Sequence, residues 1–251
     1  MNYKTIFLLV VFYLISMISI AGVGIKAEVI NDIEPGKKLF MEARNLYQSQ
    51  ESLRPELKIK FEESRNNFLE LEDGFERYYW LSRVEYFLVS YEEEDKRRKA
   101  YDRAAELGEK AVEYDKNHSD AYRILGDIYL DSVEYRGIFN QIAYGNKGKK
   151  VLKKAIELDK NNYAAYKSLG GYYIFAPGFL GGDVDKGIEM LKKSLNRSDD
   201  SVRYVAYCLL GNAYEDMEEI EQALHYVSRA VEIYPKREDT QKWLKRLKEA
   251  K

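Results

Sequence analysis

The sequence has little of several residue types that define common protein classes. Cys208 is the only cysteine among 251 residues, so a disulfide within the chain and a cysteine metal site are excluded. There are only four prolines, and Glu, Lys, Ala and Leu are frequent and favour helix. The 40 basic and 42 acidic residues leave a formal net charge of -2. That balance excludes the strongly basic field by which many proteins hold nucleic acid.

The sequence also lacks the patterns of common catalytic sites. His118 and His225 are far apart, and neither has the spacing of metal ligands. No Gly-x-Ser-x-Gly elbow and no Walker loop is present. A Gly–Gly–Asp turn at 181–183 would repel phosphate through Asp183, so it predicts a shaped loop in which Asp183 caps the next helix. We therefore predict a protein that is not an enzyme, without catalytic residues, metal ligands or a cofactor.

One uncharged apolar run stands near the N-terminus. Residues 6–25 follow Lys4 and reach the ~20 residues that a membrane span needs. Residues 1–27 therefore predict either a secretory signal or an uncleaved membrane anchor. Cleavage sites would be Ile25–Lys26–Ala27 or Ser19–Ile20–Ala21. In both cases residues 28–36 form a linker, and the remaining chain is predicted to be exported, in the periplasm or another extracytoplasmic space.

A fixed spacing of large and small residues organises the rest of the chain and is clearest from Tyr204 to Arg237. With Tyr204 as position 1, eight positions hold residues of defined size: Tyr207 (4), Leu210 (7), Gly211 (8), Tyr214 (11), Ala223 (20), Val227 (24), Ala230 (27) and Pro235 (32). Residues three and four apart share a helix face, so the spacing predicts two packed helices. The small Gly211 and Ala223 mark their close approach, and Pro235 ends the second helix.

The same spacing returns toward the N-terminus. It predicts five helical hairpins and a polar-backed capping helix, over about 37–71, 77–118, 119–161, 163–200, 204–237 and then 238–250. The second hairpin departs from the spacing, because Arg83 and Val84 stand where the others have leucine and glycine. Two insertions, 131–147 and 174–187, separate the helices of their hairpins. The apolar residues 138–144 either extend a helix or form an exposed contact surface.

This spacing resembles the tetratricopeptide repeat (TPR), a helix–turn–helix unit of about 34 residues. The resemblance implies an all-α TPR solenoid over residues 37–251 that binds a protein or peptide on the concave surface lined by the first helices. The TPR surface positions give seven candidate partner-binding residues: Tyr78, Glu85, Arg123, Asp127, Lys167, Asn212 and Glu215. No carboxylate clamp is predicted, because Lys167 and Asn212 lie in different repeats.

The segment Ala176–Asp183 (APGFLGGD) also resembles extracytoplasmic bacterial TPR proteins, among them the T component of TPR-associated TRAP transporters. That resemblance implies a solute-binding protein or a transporter subunit as the partner. We therefore predict an exported, non-catalytic scaffold for protein–protein interaction, with no nucleic-acid partner and a membrane contact only through the N-terminal segment. The alternative is a periplasmic binding protein for a small apolar or amphipathic ligand, with the aromatic segment Phe75–Tyr91 as the pocket wall.

Overall fold

The computed structural model describes residues 32–49, 55–196 and 199–250, and these residues contain eleven α-helices and no strand. In chain order the helices are α1 (Glu34–Ser49), α2 (Pro55–Leu69), α3 (Phe75–Leu88), α4 (Glu94–Tyr114), α5 (Ser119–Asp131), α6 (Ile138–Leu158), α7 (Tyr163–Phe175), α8 (Val184–Ser194), α9 (Asp200–Asp216), α10 (Ile220–Ile233) and α11 (Glu238–Glu249). The predicted signal or anchor over residues 1–27 lies outside the described residues.

Consecutive helices pack as hairpins, α1 with α2 through α9 with α10, and α11 packs on α10. The first helices α3, α5, α7 and α9 also contact one another from hairpin to hairpin, so they form one continuous inner layer. The prediction of an all-α solenoid is confirmed.

Glycine is required where the two helices of a hairpin approach each other. A Cβ added to Gly126 in α5 would lie 2.6 Å from Cγ of Leu152 in α6, and one added to Gly211 in α9 would lie 2.6 Å from Cγ2 of Val227 in α10. Such distances are too short for carbon atoms in contact. The glycines at this position therefore set the distance between the helices.

The first insertion adds a 3₁₀ turn (Ser132–Tyr135) and extends the N-terminal end of α6. Tyr144 in this extension packs edge-on against Tyr129, with 5.5 Å between ring centroids. Ile138 and Phe139 at its start are 61% and 86% exposed. The insertion is thus a packed helix extension with an exposed apolar tip, which combines the two predicted alternatives.

The second insertion is a 3₁₀ turn (Gly178–Leu180) followed by Gly181 with φ 86° and the start of α8. Two contacts hold this turn, because the Tyr172 hydroxyl (2.7 Å) and Lys149 Nζ (3.2 Å) both donate to the carbonyl oxygen of Leu180. The carboxylate of Asp183 accepts a hydrogen bond of 3.1 Å from the backbone N–H of Lys186. The prediction that Asp183 caps this helix is confirmed.

Candidate functional site

The inner layer of helices encloses a polar cavity of about 560 Å³, which we call the inner chamber. It is lined mainly by α1, α3, α5, α7 and α9, with Ser90, Tyr101 of α4, and Tyr234 and Arg237 near the start of α11. Five cations face four carboxylates across it: Arg44, Arg83, Arg123, Lys167 and Arg237, against Asp120, Asp127, Asp131 and Asp199. A chamber with these walls selects ligands by charge and hydrogen bonding.

The first helix closes the inner chamber by contacting the last hairpin. Nη2 of Arg44 in α1 donates to Oγ of Ser201 in α9 over 2.9 Å and lies 3.5 Å from the carboxylate of Asp199. Nη1 of Arg237 donates to the backbone carbonyl oxygen of Gln48, at the end of α1, over 3.3 Å. We call this set of contacts the seam. It turns an open concave groove into a chamber with a wall on the N-terminal side.

A compact ion network forms the middle of the chamber wall. Arg123 binds both oxygens of Asp120 (2.8 and 2.9 Å) and one oxygen of Asp127 (2.9 Å). The Tyr79 hydroxyl donates to Asp120 over 2.6 Å. Burial acts to raise the pKa of the Asp120 carboxyl, but the Arg123 guanidinium outweighs it and holds that pKa well below its usual range. The charge of Arg123 is therefore neutralised within the protein by Asp120 and Asp127.

Asp131 stands at the edge of the chamber and differs from the other aspartates. Its carboxylate accepts a hydrogen bond from the Tyr86 hydroxyl. Enclosure by the protein raises the pKa of Asp131 to about 6, although hydrogen bonding from Tyr86 opposes the shift. The residue is nevertheless exposed on the cavity surface. Asp131 therefore changes charge close to neutral pH at this place on the surface.

A second cavity of about 580 Å³ lies between the two insertions, and we call it the apolar cleft. Its walls are mostly aliphatic and aromatic, and include Leu130, Val133, Ile138, Ile142, Tyr172, Phe175, Pro177, Phe179, Leu180 and Leu209. Phe175 and Phe179 at its rim are 58% and 82% exposed. Large exposed aromatic side chains around a concave apolar surface are typical of binding sites.

The inner chamber and the apolar cleft adjoin each other. Both are lined by the same five residues, Tyr86, Asp127, Asp131, Lys167 and Val205. A ligand that fills both cavities meets charged groups at one end and aliphatic and aromatic groups at the other. The arrangement suits an extended or amphipathic ligand.

Three of the seven residues that the sequence predicted as the groove lie on this surface. Arg123 lines the chamber, and Asp127 and Lys167 line both cavities. Tyr78 and Glu85 line neither of them. Tyr78 instead stacks on Tyr114, and Glu85 is drawn to Arg65 (3.5 Å) and Arg103 (3.8 Å).

The remaining two predicted residues, Asn212 and Glu215, also line neither cavity. They lie at the C-terminal part of α9, beyond Val205 and Leu209, which do line them. Glu215 accepts from Trp243 (2.6 Å) and pairs with Arg246 (2.6 Å), both in the last helix. A role in partner binding for these four residues stays a prediction.

The aromatic helix α3 contributes less to a pocket than its composition suggested. Trp80 is 8% exposed and packs on Phe40 and Phe68, at centroid distances of 5.6 and 5.5 Å. Only Tyr86 and Phe87 of its aromatic residues reach the chamber. Most aromatic residues of Phe75–Tyr91 therefore belong to the core or pack against it, and Tyr86 is the residue of this segment that lines the apolar cleft.

Sequence reasoning did not assign Arg83 or the two arginines of the seam to the site. Arg83 lines the chamber and stacks on aromatic rings, 4.4 Å from the ring centroid of Trp80 and 4.8 Å from that of Phe40. The signal that marks it in the sequence is its departure from the repeat, because Leu125, Leu169 and Leu210 fill this position in other hairpins and are buried. No such signal marks Arg44 and Arg237.

The described residues do not bring together the side chains of a metal centre, and they do not activate the thiol of Cys208. They contain no group of three or more His, Cys, Asp or Glu side chains placed to hold a metal ion. Cys208 is half-buried, and burial raises the pKa of its thiol to about 11, which disfavours the reactive thiolate. Among the described helices, none is long and apolar enough to cross a bilayer.

The fold and its repeat spacing define the class of this protein, a TPR-type helical repeat protein. The profile of the tetratricopeptide repeat matches residues 204–237, the same 34 residues in which the spacing is clearest. A second profile, Regulator of microtubule dynamics protein 1-3, matches residues 39–176, which is more than half of the chain. The chain therefore belongs to the regulator of microtubule dynamics protein 1-3 family.

A solved TPR structure supports the same fold, and others are similar over most of their length. TTC0263, a TPR protein of Thermus thermophilus, is 20% identical with a TM-score of 0.64, over 86% of this chain and 98% of that one. MamA is 21% identical with a TM-score of 0.48, over 74% and 98% of the two chains. YrrB, described as a TPR protein with an unusual peptide-binding site, is 18% identical with a TM-score of 0.43, over 78% and 92%. No curated protein sequence matches this chain.

Proposed function

We propose that this chain is a non-catalytic scaffold that binds a segment of a partner protein across the inner chamber and the apolar cleft. The observation that carries this proposal is the continuity of the two cavities through Tyr86, Asp127, Asp131, Lys167 and Val205. An extended peptide has polar backbone groups along its whole length and side chains of mixed polarity, so a wall that changes from charged to apolar fits it. The first helices of TPR-type solenoids supply such concave binding surfaces.

Site-specific photocrosslinking in the native cell tests this proposal. A photoreactive phenylalanine derivative placed at Phe179, which is 82% exposed on the rim of the cleft, should form a covalent product with a defined protein. The same group at Tyr114, which is 55% exposed and lines neither cavity, should not form that product. Mass spectrometry then identifies the partner and the crosslinked segment.

A direct binding measurement with that purified partner completes the test. Phe179→Asp should weaken binding, and the matched change Tyr114→Asp should leave it as in the wild type. Equal crosslinking from both positions, or equal affinity of both variants, would contradict binding at the cleft.

We further propose that the chain is exported and serves a solute transporter. The apolar residues 6–25 after Lys4 support export, and the loop that resembles the TRAP transporter component supplies Ala176, Pro177, Phe179 and Leu180 to the cleft wall. The family name instead connects its members with microtubule dynamics. A transporter subunit or solute-binding protein crosslinked to position 179 supports the transport proposal. A microtubule protein in its place contradicts it, as does a protease-protection assay that finds the C-terminal domain in the cytoplasm.

The second candidate function is the binding of a small apolar or amphipathic ligand. The apolar cleft favours it, since about 580 Å³ lies within the range of small-molecule sites. Mass spectrometry of the purified protein under native and denaturing conditions should then show a ligand that Leu209→Glu, in the cleft wall, removes. A wild-type protein that carries no ligand after purification from its own cells would count against this function.

A further inference from the structure

The inner chamber contains two cations that form no salt bridge within the described residues. Arg44 is paired with Asp199, Arg123 with Asp120 and Asp127, and Arg237 with Asp239. Within the described part of the chain, neither Arg83 nor Lys167 makes an ion pair, and both line the chamber. A charged group in a confined, partly buried place is costly unless it is paired.

Arg83 is held as a cation by aromatic rings and one hydroxyl group. Its guanidinium carbon lies 4.4, 4.8 and 5.3 Å from the ring centroids of Trp80, Phe40 and Tyr79. Nη1 donates to the Tyr79 hydroxyl over 3.1 Å, and the buried Nε has no hydrogen-bond partner. Ring faces stabilise a guanidinium but do not neutralise it, so its hydrogen-bonding capacity is only partly used.

The neighbouring charges increase the demand for an anion. Burial lowers the pKa of Arg83, and the positive charges of Arg123 and Arg44 act in the same direction, although Tyr79 and Asp120 oppose them. Arg123 and Arg44 therefore both repel the positive charge of Arg83. An anion among them would relieve that repulsion and complete the hydrogen bonds of Arg83.

The position of Arg83 in the repeat shows that packing alone does not require it. Leu125, Leu169 and Leu210 hold this position in other hairpins, each at most 3% exposed. A leucine at residue 83 would continue the core without an unpaired charge. We propose that Arg83 is the centre of an anion-binding subsite in the inner chamber, with Lys167 as the second cation, which takes a carboxylate or phosphate group of the bound ligand.

This inference rests on the proposed binding function and specifies the chemistry that the chamber recognises. A guanidinium fork fits both carboxylate and phosphate oxygens, and the two sources have to be told apart by experiment. Inorganic phosphate and acetate are suitable probes. Binding of either anion is measured without a protein partner. The result therefore does not depend on the outcome of the crosslinking experiment.

The experiment titrates the purified full-length chain, in non-ionic detergent, with each anion at an ionic strength kept constant by sodium chloride. Calorimetry gives the affinity, and thermal unfolding gives the shift in Tm. We expect at least one anion to bind and to raise Tm above the chloride reference. Tighter binding of phosphate identifies a phosphoryl ligand, and tighter binding of acetate identifies a carboxylate.

The variants assign the binding to Arg83. Arg83→Gln should weaken the bound anion by about tenfold or more, because a charge-assisted hydrogen bond is lost. Arg83→Lys keeps the charge without the planar fork and should fall between Gln and the wild type. Arg229→Gln removes an exposed arginine paired with Glu232 and should bind as the wild type does.

If Arg83→Gln fails to fold, Lys167→Met provides a second test of the same subsite. Lys167 is not stacked in the aromatic core, and this change should weaken the same anion severalfold while circular dichroism stays unchanged. The proposal is overturned if neither anion binds beyond the chloride reference. It is equally overturned if Arg83→Gln and Lys167→Met bind as the wild type does, or if Arg229→Gln loses as much affinity as Arg83→Gln.

Discussion

The hairpins α3–α4 and α9–α10 differ at the two positions that decide how a hairpin packs. In α9, Leu210 is fully buried and Gly211 lets Val227 of α10 come close. In α3 the corresponding positions hold Arg83, which lines the chamber, and the fully buried Val84. In the regular hairpin α9–α10 both positions pack in the core. In the irregular hairpin α3–α4 only Val84 does so, and Arg83 belongs to the binding surface.

The difference also shows how a charge is tolerated at a core position. Phe40, Tyr79 and Trp80 surround Arg83, so aromatic faces take the place that aliphatic side chains fill elsewhere. In α9, Leu210 belongs instead to a mainly aliphatic cluster that includes Leu191 and Val227. The local neighbours, more than the repeat position, decide which residue is stable there.

The largest loss of stability is expected from Leu210→Arg, which places an arginine at the leucine position of the regular hairpin. Leu210→Arg places a cation into a fully buried, mainly aliphatic site, and should cost more than about 4 kcal/mol or prevent folding. Urea unfolding followed by circular dichroism measures the loss. Leu69→Arg, at a leucine that is 47% exposed, is the control and should change stability little. A folded Leu210→Arg variant of wild-type stability would refute the argument.

The close approach in the regular hairpin is tested by Gly211→Leu. The first added carbon would lie 2.6 Å from Val227 and 3.0 Å from the Trp243 ring, so the helices must move apart. We expect a loss of about 2–3 kcal/mol from overpacking. Gly137→Ala is the matched control, because no atom lies within 4 Å of its added Cβ. An unchanged melting temperature for Gly211→Leu would mean that the register of the hairpin is wrong.

The seam joins the irregular and the regular end of the stack, and Arg44→Ala tests it. The change removes the contacts of Arg44 with Ser201 and Asp199 and should cost about 1 kcal/mol. The cost should shrink at high salt, since the pair is partly exposed. Lys245→Ala, which removes an exposed pair with Glu249, should have almost no effect. Equal effects from both changes would show that the seam does not stabilise the fold.

Arg83→Leu restores the repeat residue and should separate stability from binding. The change removes an unpaired cation from a site surrounded by aromatic rings. We therefore expect the free energy of unfolding to stay equal to that of the wild type or to rise by up to about 1 kcal/mol. Anion binding should be lost in the same variant. Chemical unfolding and calorimetry on one preparation measure both. A loss of several kcal/mol would mean that Arg83 serves the fold rather than a ligand.

The smallest expected effect concerns pH and Asp131. Its pKa is raised from 3.8 to about 6 in the folded chain, so the protonated form stabilises the fold at pH values below about 4, and this contribution disappears as the pH rises through about 6. Asp131→Asn removes the dependence and should become more stable relative to the wild type between pH 4 and 7. We expect a few tenths of a kcal/mol, because cavity water screens the group.

Urea unfolding at both pH values measures this difference. Glu113→Gln, at an exposed carboxylate outside both cavities, is the control. The opposite sign, with the wild type gaining on Asp131→Asn as the pH rises, would contradict the raised pKa.

The predicted residues that line the two cavities follow from the phase of single helices. Arg123, Asp127 and Lys167 lie on the inward stripe of α5 and α7, where the spacing is regular. Tyr78 and Glu85 line neither cavity, and they belong to α3, which lacks the leucine and glycine of the regular repeat positions. Glu85 instead forms ion pairs with Arg65 and Arg103.

The sequence by itself determined the hairpins, because helix phase, the glycines at close contacts and the Asp183 cap are set by residues near one another in the chain. Only the tertiary structure decided that the stack closes and that both insertions border one cleft. Arg44 and Ser201 are 157 residues apart, and they meet because small rotations between successive hairpins accumulate along the solenoid. The total rotation is a property of the whole stack and not of any one repeat. A local sequence pattern therefore does not reveal the inner chamber.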